Sequence, residues 1–135
     1  MADRFDPRAL PDAALAFLAE RHLATLTTLR PNGSPHVTPV GFTYDAGQGL
    51  ARVITFAAAT KVGNVRAAGP AGATVALAQV DGGRWLTLEG RAFARDDAEA
   101  NHEGVTRYAA RYREPRARAD RVTIEVVVER ILGRV

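Results

Sequence analysis

The chain has 135 residues, 47% of them hydrophobic and 24% charged, which suits a single globular domain over residues 1–135 rather than two. It has no cysteine, so disulfides, thiolate zinc sites, iron–sulfur clusters and a cysteine nucleophile are excluded. Lys and Arg number 18 against 15 Asp and Glu, a net charge of +3, and Lys61 is the only lysine among the 18. So small a surplus fits an anionic small ligand as well as nucleic acid, which needs basic charge gathered on one face.

The N-terminus, MADRFDPRAL, has neither a basic start nor an apolar stretch, and no apolar run approaches the roughly 18 residues of a membrane span. The reading is a cytoplasmic chain with no membrane partner. Pro11-Asp12 followed by AALAFLAE predicts a short helix with Leu15 and Leu18 on one stripe. HLATLTTLR (22–30) predicts a strand that ends at Pro31-Asn32-Gly33-Ser34, and an Asn-Gly pair between two β-like runs is a strong hairpin signal. The second strand runs from Pro35 to Tyr44, with His36, Thr38, Val40, Phe42 and Tyr44 on one face and Val37, Pro39, Gly41 and Thr43 on the other. Pro39 argues for an edge position or an irregular stretch.

Asp45 to Gly49 is a turn and LARVITFA (50–57) a strand, after which Thr60 is expected to cap a helix from Lys61 to about Ala68. ATVALAQV (73–80) and RWLTLEGRAFA (84–94) flank Asp81-Gly82-Gly83, a second hairpin. Asp96-x-x-Glu99 resembles a capping box opening a helix to about Tyr112. A polar loop REPRARAD (113–120) then leads into RVTIEVVVE (121–129), where Val122, Ile124, Val126 and Val128 alternate with Thr123, Glu125 and Glu129. Six strands in hairpin pairs, with helices only at crossovers, predict a mainly β antiparallel barrel.

Few constellations carry chemistry. His22, His36 and His102 lie far apart with no second ligand at metal spacing, so no metal is expected. Gly-x-Ser-x-Gly is absent, and the only serine, Ser34, is a turn residue. Gly47-x-Gly49 opens a strand rather than a helix, which excludes the usual dinucleotide fingerprint. The cluster Arg107, Tyr108, Arg111, Tyr112, Arg113, Arg116, Arg118 and Arg121 has two readings. One is an anionic partner with stacking aromatics. The other, which weighs more, packs both tyrosines on the barrel and leaves the arginines in solvent. The segment from Arg52 through Thr55 and Thr60 to Lys61 and Asn64 brings basic charge to a helix start. That combination makes a phosphate site without a metal, with an ordinary crossover the equal alternative. Trp85 reads as core packing unless a flat ligand must be stacked.

The segments AERHLATLTTLR, FTYD, ARVIT, QVDGGRWLTLEGRA and RYAARYR are specific as a set. From about residue 13 to the C-terminus the chain resembles the pyridoxamine 5′-phosphate oxidase split-barrel superfamily, in its branch using the deazaflavin coenzyme F-420 in place of FMN. The resemblance implies a six-stranded split β-barrel and a homodimer. It also implies hydride transfer from reduced F-420 to a conjugated tetrapyrrole, biliverdin to bilirubin. It assigns His36, Thr38, Pro39, Val40 and Gly41 to the coenzyme ring, and Arg52, Thr55, Lys61 and Asn64 to its phosphate and ribityl part. Gln79 and Trp85 come from the barrel mouth or the partner subunit, and arginines of the basic cluster meet the acidic tail. His36 is the candidate proton donor. The physics agrees, because a reduced deazaflavin carries the hard step itself and needs no protein nucleophile or metal. The alternatives are an FMN-binding oxidoreductase of the same fold and a non-catalytic binder of a flavin, deazaflavin or tetrapyrrole. Nucleic-acid binding is not expected.

Overall fold

The computed structural model describes residues 2–135. In chain order the elements are β1 (Asp3–Phe5), α1 (Asp12–Ala19), β2 (Ala24–Leu29), β3 (Pro35–Val40), β4 (Thr43–Asp45) and β5 (Leu50–Phe56). They continue with α2 (Thr60–Ala67), β6 (Ala73–Asp81), β7 (Arg84–Arg95), α3 (Ala98–Arg111) and β8 (Arg121–Arg134). All strand pairs are antiparallel, in the order β3-β2-β6-β7-β8-β5-β4, with β1 added beside β8. The two ends of that order, β3 and β4, are consecutive in sequence and joined only by Gly41 and Phe42. The sheet therefore curls until its ends meet at one short link, which is the split of a split β-barrel.

The strand count is eight rather than the expected six. Residues 35–44 break in two, because Phe42 and Thr43 are both buried and strict alternation cannot put two successive residues on one face. The other addition, β1, is three residues long and pairs with the far end of β8, too short to show a period. The hairpins fall where the turn residues put them. Asn32 Oδ1 accepts hydrogen bonds from the Ser34 amide and hydroxyl, while Asp81 pairs across its turn with Arg84. As Pro39 suggested, β3 is an edge, and neither Pro35 nor Pro39 has an N–H to offer another strand.

Two helix starts differ from expectation. Residue Ala59, not Thr60, occupies the cap of α2, and no side chain caps it. Asp97 rather than Asp96 caps α3, accepting from the Ala100 amide at 3.0 Å. The inward stripes meet in one core that includes Phe17, Leu26, Leu77, Leu86, Leu88, Ile124 and Ile131. Truncating one such residue to alanine typically costs about 2–5 kcal/mol. Thr123 is also fully buried, against its expected polar face, because α3 covers that side of β8 and Thr123 Oγ1 donates to Asn101 Oδ1. At Gly90, where β8 gains an extra residue opposite the Glu89–Gly90 step, a Cβ would lie 2.0 Å from the Val127 carbonyl oxygen. Only glycine fits that bulge. None of the described helices is long and apolar enough to cross a membrane.

Candidate functional site

A cleft of about 500 Å³ opens where β3 ends, beside the split. One side is Pro39, Val40 and Gly41, and the floor is the end of β5, from Ile54 to Phe56, with Lys61 at the start of α2. The opposite side is Tyr108 of α3 and the loop that follows it, with Arg113, Arg116, Arg118 and Arg121. Five cations line this cleft, and no carboxylate stands among its described lining residues. Such a surface suits an anion.

The five are not equally available. Arg118 is spent on Asp120, to which Nε donates at 2.8 Å, and its guanidinium lies 4.3 Å from the Phe56 ring centre. Arg121 donates to the carbonyl oxygens of Thr55 and Arg116 and so shapes the loop. Lys61, Arg113 and Arg116 have no side-chain partner among the described residues. Burial holds the Lys61 ammonium below its ordinary value, the expected state of a cation partly desolvated without a counter-ion.

Four polar side-chain atoms are buried without a hydrogen-bond partner among the described residues: His36 Nδ1, Thr38 Oγ1, Thr43 Oγ1 and Arg52 Nε. The Nδ1 of His36 and Oγ1 of Thr38 are buried and unbonded on the side of β3 that also carries Val40. A buried polar atom left unpaired costs about 1–3 kcal/mol, so both are groups that a ligand or water would satisfy. Of the residues expected at a coenzyme site, Pro39, Val40, Gly41, Thr55 and Lys61 line the cleft, while His36 and Thr38 stand further back along β3, outside its lining.

The others are elsewhere. Arg52 and Thr55 are three apart on one strand and so face opposite sides. The Arg52 side chain is 6% exposed and donates to Asp45 Oδ2 at 3.3 Å, a carboxylate that Arg107 reaches at 3.1 Å. Asn64 ties α2 to β2 by donating to Thr28 Oγ1 at 2.9 Å. Gln79 is fully buried, donating to the Phe17 carbonyl and accepting from Arg111. Trp85 does not pack in the core: it lies on the outer, half-exposed face of β7 opposite Val80, which is 62% exposed. There is room on that face for a partner, not a core. A groove of about 980 Å³ also runs over it between β1 and the strands, with Arg130 paired to Glu89 across it.

Tyr108, Arg113 and Arg116 of the basic cluster also stand in the cleft wall, and spacing alone did not say which of its arginines would do so. The tyrosines do pack, as the favoured reading had it, with ring centres 4.9 Å apart, yet Tyr108 also lines the cleft. The histidine expectation also needs amending. His22 lies with Glu20 and Asp81 in one group whose ligand atoms are within 4.8 Å of one another. Arg84 already supplies the cation there, bonding both Glu20 oxygens at 2.8 and 2.9 Å and Asp81 as well.

The family model for pyridoxamine 5′-phosphate oxidase matches residues 10–134. The chain is 54% identical over 124 residues to the F-420H(2)-dependent biliverdin reductase of Mycobacterium tuberculosis, covering 92% of this chain and 88% of that one. Among solved structures it is similar to an F-420 reductase, at TM-score 0.71 and 25% identity, over 90% of this chain and 98% of that one. A hypothetical protein from Mycobacterium tuberculosis superposes at TM-score 0.73 and 24% identity, over 91% of this chain and 83% of that one, a likeness of fold.

Proposed function

The chain belongs to the pyridoxamine 5′-phosphate oxidase family, and we propose that it is an oxidoreductase that uses reduced coenzyme F-420 to reduce biliverdin to bilirubin. The observation that carries this reading is the cation-lined, carboxylate-free cleft beside the split, in a chain 54% identical to a protein of that name. When bound, the reduced deazaflavin supplies the hydride. Everything else is the work of the chain's own residues.

Lys61 and the uncapped first amides of α2 hold the phosphate, with Thr55 beside them. Pro39, Val40 and Gly41 border the flat ring, and His36 Nδ1 and Thr38 Oγ1 find their missing hydrogen-bond partners on it. Arg113 and Arg116 take carboxylates, from the coenzyme tail or the propionates of the tetrapyrrole. His36 holds the proton that accompanies the hydride. Arg52, Asn64 and Gln79 stand outside the cleft and brace the elements behind it, through Asp45, Thr28 and Arg111.

The active species in this reading is a cytoplasmic homodimer. Across the outer face Pro39, Thr25, Ala78, Thr87 and Leu132 stand side by side on five strands, a row without a charge. Because Pro39 also borders the cleft, a second copy seated on this row stands next to the coenzyme, with Trp85 on the shared face. Sedimentation should give twice the monomer mass; a monomer would sink this part.

Mixing the purified protein with reduced F-420 and biliverdin should convert the long-wavelength bilin absorbance into that of bilirubin. Turnover with reduced FMN alone would move the chain to the flavin-dependent branch. Tight coenzyme binding with no acceptor reduced would make it a binder rather than an enzyme.

A further inference from the structure

Arg111 is a half-buried cation with no counter-charge among the described residues. Its Nε and Nη2 donate to the Glu20 carbonyl oxygen at 2.9 and 2.7 Å, Nη2 also donates to Gln79 Oε1 at 2.7 Å, and Nη1 donates to the Phe42 carbonyl. All four bonds end on neutral oxygens. The guanidinium also lies 4.8 Å from the Phe42 ring centre and 5.0 Å from that of Tyr112. Desolvating a guanidinium without a carboxylate is unfavourable, so charge neutralisation does not account for it. Its planar fork does, because one rigid group reaches three separate parts of the chain at once.

Those parts are the end of α1 at Glu20, β6 at Gln79, and Phe42 within the two-residue link across the split. The next residue repeats the grip: the Phe42 amide donates to Tyr112 Oη at 3.2 Å, and Tyr112 Oη donates to the His22 carbonyl at 2.6 Å. The last turn of α3 is thereby bolted to the split. On either side of the bolt in sequence are Tyr108 and Arg113, both in the cleft wall. Tyr108 rests directly on the main chain of the link, since a Cβ at Gly41 would lie 2.8 Å from its Cε2.

We propose that Arg111 is a positioning residue: held by Gln79, it clamps the end of α3 across the split, and so places Tyr108 and Arg113 for an anionic, planar ligand that Arg111 does not touch. The proposal rests on the reading that this cleft holds the coenzyme. It also gives Gln79 a part, through Arg111 rather than by contact.

Two readouts test it, both on intact protein at temperatures where near-ultraviolet dichroism reports a native fold. Quenching of F-420 fluorescence should show binding about tenfold weaker in Arg111→Lys, which keeps the charge but loses the fork, and several-fold weaker in Gln79→Ala. Ile131→Val, a core truncation at the other end of β8, should lower Tm and leave Kd alone. Hydrogen exchange should quicken in Arg111→Lys at residues 41–43 and 108–113 and not elsewhere. Wild-type Kd in both weakened variants, or a Kd in Ile131→Val that tracks its Tm loss, overturns the proposal. Should the wild type bind neither F-420 nor FMN, the coenzyme reading falls on its own, and unchanged exchange in those two segments then overturns the clamp.

Discussion

Two parts of this molecule hold clustered charge and treat it in opposite ways. Between α1 and the β6–β7 hairpin, Glu20, His22, Asp81 and Arg84 satisfy one another at distances of 2.5 to 3.7 Å. A second cluster under α3 starts from the buried pair Asp45 and Arg52 and runs outward through Arg107 to the more exposed Glu103. At the cleft beside the split, Lys61, Arg113 and Arg116 face one another with no acid between them. Like charges gathered without a counter-ion repel, and a bound anion relieves that repulsion. Where the chain pairs its charges it is building itself; where it leaves them open it is binding something else.

Substitutions in the two kinds of region should therefore fail differently. The largest loss of stability is expected from Asp45→Asn, which strands buried Arg52 without its carboxylate. We expect about 3 kcal/mol, roughly 10 °C in Tm, while the folded fraction still binds coenzyme. A Tm within a degree of wild type would mean that water replaces Asp45 at no cost. Lys61→Ala should reverse the pattern. A charged hydrogen bond is worth about 1.5–3 kcal/mol, so Kd for F-420 should rise tenfold or more. Tm should hold or rise slightly, because a half-buried ammonium without a partner is gone. Arg118→Ala, whose charge Asp120 already balances, should move Kd less than about threefold; equal effects from Lys61 and Arg118 would erase the contrast between open and spent cations.

The smallest effect is one of pH. Hydrogen bonds from Arg84, and then from His22, bring the Glu20 carboxyl down from an ordinary 4.5 to about 2. A carboxylate favoured in the folded state stabilises it fully above the ordinary value and stops doing so as pH falls through the lowered one. Urea midpoints should therefore decline from pH 4.5 toward 2. Glu20→Gln should flatten that part of the curve, and an unchanged slope would assign the acid sensitivity to other carboxylates.

Much of the fold was legible in one dimension. Asn32-Gly33 and Asp81-Gly82 mark their hairpins because turn chemistry is local. Residues 73–80 and 84–94 alternate because one face of each strand is buried. The break at Gly41–Phe42 was not legible, since Phe42 and Thr43 are held inward by α3 and the core rather than by any local pattern. Thr123 looks like a solvent-facing residue until α3 is laid over it.

The candidate site divides along the same line. Sequence alone determined the fold class, the family, the basic segment that opens α2 and the lone Lys61 within it. Only the tertiary structure decided which of 18 basic residues are open to a ligand. Arg52 meets Asp45 seven residues away, Arg84 meets Glu20 at a separation of 64, and Arg111 reaches Glu20 across 91. Periodicity and turn propensity act over a few residues, so a sequence displays them. Whether a charge is spent depends on which carboxylates and carbonyls the folded chain brings within about 4 Å of it, where the interaction is strong enough to hold the group, and no local pattern carries that.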